Sequence, residues 1–105
     1  MTIPTDTDRS LLTVVATMRA KEGQEQALRE LLEGLIEPTM AEKDCVFYAL
    51  HQHTQDPRQF FFIENWTDQA ALDAHLATPH LQAALPRIPE LLEGELVIST
   101  LARIA

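Results

Sequence analysis

Apolar positions change their spacing several times along this chain, and each change marks a new element. Leu11-Leu12-Thr13-Val14-Val15-Ala16-Thr17-Met18 is short and rich in β-branched residues, which predicts a first strand ending at the charged turn Lys21-Glu22-Gly23. From Gln24 the spacing becomes three and four. Ala27, Leu28, Leu31, Leu32, Leu35, Ile36 and Thr39 form one stripe, which predicts an amphipathic helix kinked or ended by Pro38 near Glu37. Cys45 to His53 then alternates as a strand, with Val46, Tyr48 and Leu50 on one side and Phe47, Ala49 and His51 on the other. The cluster Thr54-Gln55-Asp56-Pro57-Arg58 is a turn, and Gln59 to Trp66 returns as the partner strand of an antiparallel hairpin.

Thr67 or Asp68 caps the next helix, whose inward stripe is Ala71, Leu72, His75 and Leu76. Thr78-Pro79 starts another, with proline at the first helical position, and Leu81, Ala84, Leu85 and Ile88 face inward. Pro86 and Pro89 divide it, and Leu96 to Leu101 forms the last strand after Gly94. The order β-α-β-β-α-β predicts an α+β fold: a ferredoxin-like four-stranded antiparallel sheet with helices on one face. Residues 1–9 read as a flexible polar tail, and residues 10–105 as a single domain.

The strands are apolar on both sides. Phe60 and Phe62 oppose Phe61 and Ile63, and Leu12 and Val14 oppose Leu11 and Val15. Helices cover only one face, and each large side chain left wet on the other forfeits roughly 1.5–3 kcal/mol. A second copy packed sheet to sheet covers that surface, so a homodimer is expected.

Charge narrows the partners. Sixteen acidic residues against eight basic ones give a net charge of −8, which repels phosphate backbones and anionic lipid surfaces. No nucleic-acid or membrane partner is expected. Three glycines, with no phosphate-loop pattern among them, provide no nucleotide socket. The lone Cys45 fits a reducing compartment, and no leader or membrane-spanning run is visible, so a cytoplasmic location is expected.

Glu64-Asn65-Trp66 followed by His75 is the segment richest in chemistry. Glu64 and Trp66 share a face of their strand, and His75 lies on the apolar stripe of its helix. If the two faces meet, carboxylate, indole and imidazole converge, and a buried imidazole is a candidate acid or base near neutral pH. From spacing alone, a core histidine satisfied by a backbone carbonyl, with Trp66 as packing, is the favoured reading. His51 and His53 have metal-ligand spacing, with His80 as a conceivable third. No further ligand stands at a diagnostic distance, so the pair is read as solvated and no metal is expected. Cys45 reads as a small buried hydrophobe.

Several stretches carry a family resemblance. They are Val14 to Gly23, Ile36-Glu37-Pro38-Thr39, Cys45 to His51, and Glu64-x-Trp66 followed by Ala70-Ala71-Leu72-x-x-His75-Leu76-x-x-Pro79-His80. Together they resemble the antibiotic biosynthesis monooxygenase domain, and its small quinol-monooxygenase-like members in particular, over about residues 11–104. The resemblance implies a dimeric α/β barrel and cofactor-independent oxygenation, with a small electron-rich aromatic and dioxygen as partners. It implies His75 as base, Glu64 as its orienting partner and Trp66 as a wall of the aromatic pocket, with Tyr48, Leu72 and His80 as further pocket residues. Phe62 and Leu50 stand where anthrone oxygenases of the family carry a pocket asparagine and tyrosine, which argues against their polyketide substrates. Ala16 and Leu85 stand where haem-degrading relatives place an asparagine and a proximal histidine, which argues against haem degradation. A ligand-binding dimer without turnover, or an isomerase of the same fold, stays open.

Overall fold

The computed structural model describes residues 10–105; the expected tail over residues 1–9 lies outside them. Strand β1 (Leu12–Arg19) is followed by helices α1 (Glu25–Glu33) and α2 (Ile36–Met40). The hairpin β2 (Cys45–Gln52) and β3 (Gln59–Trp66) comes next, then helices α3 (Gln69–Leu76), α4 (Pro79–Ala84) and α5 (Ile88–Leu91), and strand β4 (Val97–Ala102). The four strands form one antiparallel sheet in the order β2-β3-β1-β4, which is the ferredoxin-like arrangement.

Alternation decides which side of each strand is buried. Val14, Ala16 and Met18 of β1 and Phe60, Phe62, Glu64 and Trp66 of β3 face the helices, which contribute Leu28, Leu32, Leu72, Leu81 and Ile88 to the same core. The left-handed backbone needed at the turn after β1 is supplied by Gly23 (φ 83°), and before β4 by Gly94 (φ 79°). At one end of the sheet Arg19 pairs with Asp56 and Glu93, and Arg58 bonds Glu93 (3.0 Å) and the Ala20 carbonyl (2.9 Å). The hairpin turn is thereby tied to the segment preceding β4.

The first helix departs from expectation. It stops at Glu33, and a second short helix runs through Pro38 to Met40. Pro38 falls in the first turn of α2, where backbone N–H groups have no partner inside the helix, so it breaks nothing. The interruption comes at Gly34, a poor helix former, between two leucines that are both buried, Leu32 and Leu35. The opening of β2 also differs. The register shifts between Cys45 and Phe47, so Val46 sits in a bulge and is exposed rather than sharing the inward side of Tyr48. Cys45 itself is half-buried against the core, and burial pushes its thiol pKa up.

The second sheet face lies outside the core and mixes apolar with polar side chains. Its cross-strand rows are Ala49-Ile63-Val15-Ser99, His51-Phe61-Thr17-Val97 and Phe47-Asn65-Thr13-Leu101. Phe47, Val97 and Leu101 are each about half exposed, at 45%, 53% and 47%. Among the described residues no helix is long and apolar enough to cross a membrane.

Candidate active site

All four strands and the three helices α3, α4 and α5 contribute to a cavity whose lining is apolar except for Tyr48, Glu64 and His75. Val14, Met18 and Phe62 form its floor on the sheet, and Leu72, Leu76, Leu81 and Ile88 its roof. The empty space is about 450 Å³ counting what opens to solvent, of which about 40 Å³ is wide enough for the centre of a water molecule. An apolar lining with a few convergent polar groups is the usual composition of a small-molecule site, although the enclosed space here is small.

Each polar side chain is placed by a regular element. Glu64 is the third inward position of β3, opposite Tyr48 on one side and Val14 on the other. Asp68 caps α3 by accepting from the Ala71 N–H (2.8 Å), which sets the phase of the helix so that Ala71, Leu72 and His75 point inward. His75 is 2% exposed. Its ring tilts against Trp66 at 4.5 Å between centroids and meets Tyr48 edge-on at 5.4 Å. Tyr48 in turn stacks on Phe62 at 4.6 Å.

The structure brings Glu64, Trp66 and His75 together, but with different bonds from those expected. Trp66 Nε1–H donates to Glu64 Oε1 (2.9 Å). The partner of His75 is Glu42, whose Oε2 lies 2.7 Å from Nδ1. The same oxygen lies 2.8 Å from His80 Nε2. Glu64 therefore binds the indole rather than orienting the imidazole. Trp66 packs against His75 but is not among the residues that line the cavity. Tyr48 and Leu72 line the cavity as expected. His80 does not: it is turned outward to Glu42 by the first turn of α4, and it borders a shallow surface depression with Leu31 and Arg87.

Burial dominates the electrostatics. Desolvation lowers the His75 pKa below its ordinary value against the opposing pull of Glu42, so the ring is held neutral. With Nδ1–H donated to the carboxylate, the lone pair resides on Nε2. Desolvation pushes Glu64 up to about 7, only partly offset by the Trp66 N–H, with the charge of Glu42 adding to the rise. Burial likewise raises the Tyr48 phenol and keeps it protonated.

Glu42 was not singled out from the sequence. It lies in the polar connection Ala41-Glu42-Lys43-Asp44, which has no periodicity, and its two partners come from other elements far along the chain. His51 and His53 are exposed, and His53 Nδ1 accepts from the Gln55 N–H (3.0 Å). They are not gathered with His80. The one group of possible metal ligands among the described residues is Glu42, His75 and His80.

An apolar cavity between the helices and sheet of a ferredoxin-like fold, with a buried imidazole in its lining, is the candidate small-molecule site of this chain. The chain belongs to the antibiotic biosynthesis monooxygenase family, whose model matches residues 11–87. It is 31% identical over 83 residues to "Probable quinol monooxygenase YgiN" of Escherichia coli, covering 70% of this chain and 80% of that one. It is 31% identical over 93 residues to "Putative monooxygenase Rv0793" of Mycobacterium tuberculosis, covering 89% and 91%. The crystal structure of PA3566 from Pseudomonas aeruginosa superposes with a TM-score of 0.84 at 38% identity, covering 91% of this chain and 96% of that one. The chain spans 55% of the length of a further relative, sll1783 of Synechocystis, at 28% identity over 81 residues.

Proposed function

We propose that the chain is a cofactor-independent monooxygenase acting on a small electron-rich aromatic such as a quinol. The observation that carries this reading is the His75 imidazole: kept neutral by burial, held at Nδ1 by Glu42, on a side chain that lines an apolar cavity. Relatives named as monooxygenases, one of them for quinols, support the class of reaction.

In this reading His75 Nε2 takes a proton from the substrate hydroxyl, and the phenolate or enolate passes one electron to dioxygen. The resulting superoxide and substrate radical combine at carbon, and the proton held by His75 completes a hydroperoxide. Cleavage of the O–O bond with loss of the remaining hydrogen on that carbon leaves a carbonyl and releases water. One oxygen atom stays with the substrate, the other leaves as water, and the substrate supplies all the electrons. Glu64, carrying its proton through much of the neutral range, donates to the developing oxyanion. The apolar lining excludes water from the radical pair.

The same reading takes the working unit as a homodimer closed over the exposed sheet face, with its reaction in a cytoplasmic setting. Oxygen uptake with a panel of reduced quinones and no added cofactor tests it. Turnover is expected to fall by about 10²–10⁴-fold in His75→Ala. Uptake undiminished in that variant removes His75 as the base, and no uptake with any quinol removes the substrate class.

A further inference from the structure

We propose that Glu42 Oε2, His75 Nδ1 and His80 Nε2 form a binding site for a divalent transition-metal ion of the zinc type, with a fourth position left to water. The three atoms lie within 4.8 Å of one another, and no other described group of ligand side chains converges in this way. Two imidazoles and one carboxylate are a donor set suited to zinc and its neighbours.

The scaffold holds this set ready. The ring of His75 packs against both Trp66 and Tyr48. Its backbone carbonyl accepts from Thr78 Oγ1 (2.7 Å), which sets the turn that delivers His80 five residues later. Glu42 stands on a short connection, and its side chain is 14% exposed. His80 is more open, at 22%, so an ion reaches the site from the surface without crossing the apolar cavity. The net charge of −8 favours the approach of cations.

In the structure Glu42 Oε2 occupies the centre and takes a hydrogen bond from each ring. Tetrahedral ligands at about 2.0–2.1 Å from an ion stand roughly 3.3 Å apart. Drawing the carboxylate oxygen back by about half an ångström brings its distance to each ring nitrogen to that spacing, and each coordinating nitrogen gives up its proton as the ion enters. The neutral His75 ring has one such proton, which passes from Nδ1 to Nε2. Nε2 then changes from acceptor to donor, and a metal-loaded chain no longer carries the lone pair that the proposed reaction uses.

Binding is read directly, apart from any oxygen uptake, by titrating chelator-treated full-length protein with zinc chloride in a calorimeter and with cobalt(II) by visible absorption. One ion per chain is expected, with a tetrahedral cobalt band and a higher melting temperature. His80→Ala, at the most open ligand, is expected to keep its fold and metal-free melting temperature and to weaken binding by about 100-fold or more, as is Glu42→Gln. A His51→Ala/His53→Ala double variant, which removes the two exposed histidines, is expected to bind as the parent does. Absence of saturable binding, binding unchanged in His80→Ala, or binding lost in the double variant overturns the proposal and leaves the cluster a hydrogen-bonded pair of imidazoles.

Discussion

Glu42 Oε2 lies 2.7 Å from Nδ1 of His75, although 33 residues separate them. The carboxylate holds the imidazole in one tautomer while standing outside the cavity that the ring faces. In the proposed reaction, a positioning group of this kind affects turnover through the base and leaves substrate contacts alone. Glu42→Gln, which retains the shape and removes the charge, is expected to lower kcat for quinol oxidation by about 10–100-fold with KM little changed. Steady-state oxygen uptake checks it, and a rise in KM at constant kcat contradicts it.

Glu64 gives the fold a pH dependence of unusual sign for a carboxylate. Its folded-state pKa is raised from 4.5 to about 7, so the folded protein prefers the protonated form. The stabilising contribution is fully present below about pH 4.5 and is lost as pH rises through 7, by up to roughly 3 kcal/mol. Urea denaturation of wild type and Glu64→Gln across this range isolates the effect, because the lowered pKa of His75, which acts in the opposite sense, is common to both. The difference between the two proteins is expected to move in the variant's favour toward pH 8, and a constant difference contradicts the assignment.

Trp66 is 1% exposed and gives its only polar hydrogen to Glu64. Trp66→Phe removes that donor, which is the one group opposing the rise in the Glu64 pKa. A further upward displacement of the carboxyl titration is expected by carbon-13 NMR, together with about 1–3 kcal/mol of lost stability from the smaller ring.

The exposed sheet face makes a separate prediction about assembly. Ile63 sits at its middle, between Ala49 and Val15. Ile63→Glu places a charge where a second sheet is expected to pack and leaves the core on the opposite face intact. Sedimentation equilibrium is expected to find a dimer for wild type and a monomer for the variant, both folded by circular dichroism. A wild-type monomer at micromolar concentration contradicts the homodimer.

The backbone plan was legible because each element carries its own local signal. The β-branched run of β1, the paired turn residues at Asp56-Pro57, and the caps at Asp68 and Thr78 all act over a few residues. The boundary between α1 and α2 was misread because proline is a stronger signal than glycine in isolation, yet its effect depends on which turn of a helix it occupies. His75 was legible as a buried polar residue on an apolar stripe. Its partner was not, because the contact with Glu42 joins a connection to two helices and depends on how the layers close rather than on any spacing. Trp66 and Glu64 were correctly placed on one face, but two residues on adjacent inward positions bond each other more readily than they reach across to a helix, and sequence alone does not rank those choices.

Strand β4 touches only one neighbour in the sheet, β1, and every one of its six residues is exposed, yet Ile98 on its inner side closes one wall of the cavity. That flank of the cavity thus rests on a single edge ribbon fastened along one seam. In the proposed homodimer, a partner gripping the ribbon's free margin would stiffen the wall as well, joining assembly to the access of guests.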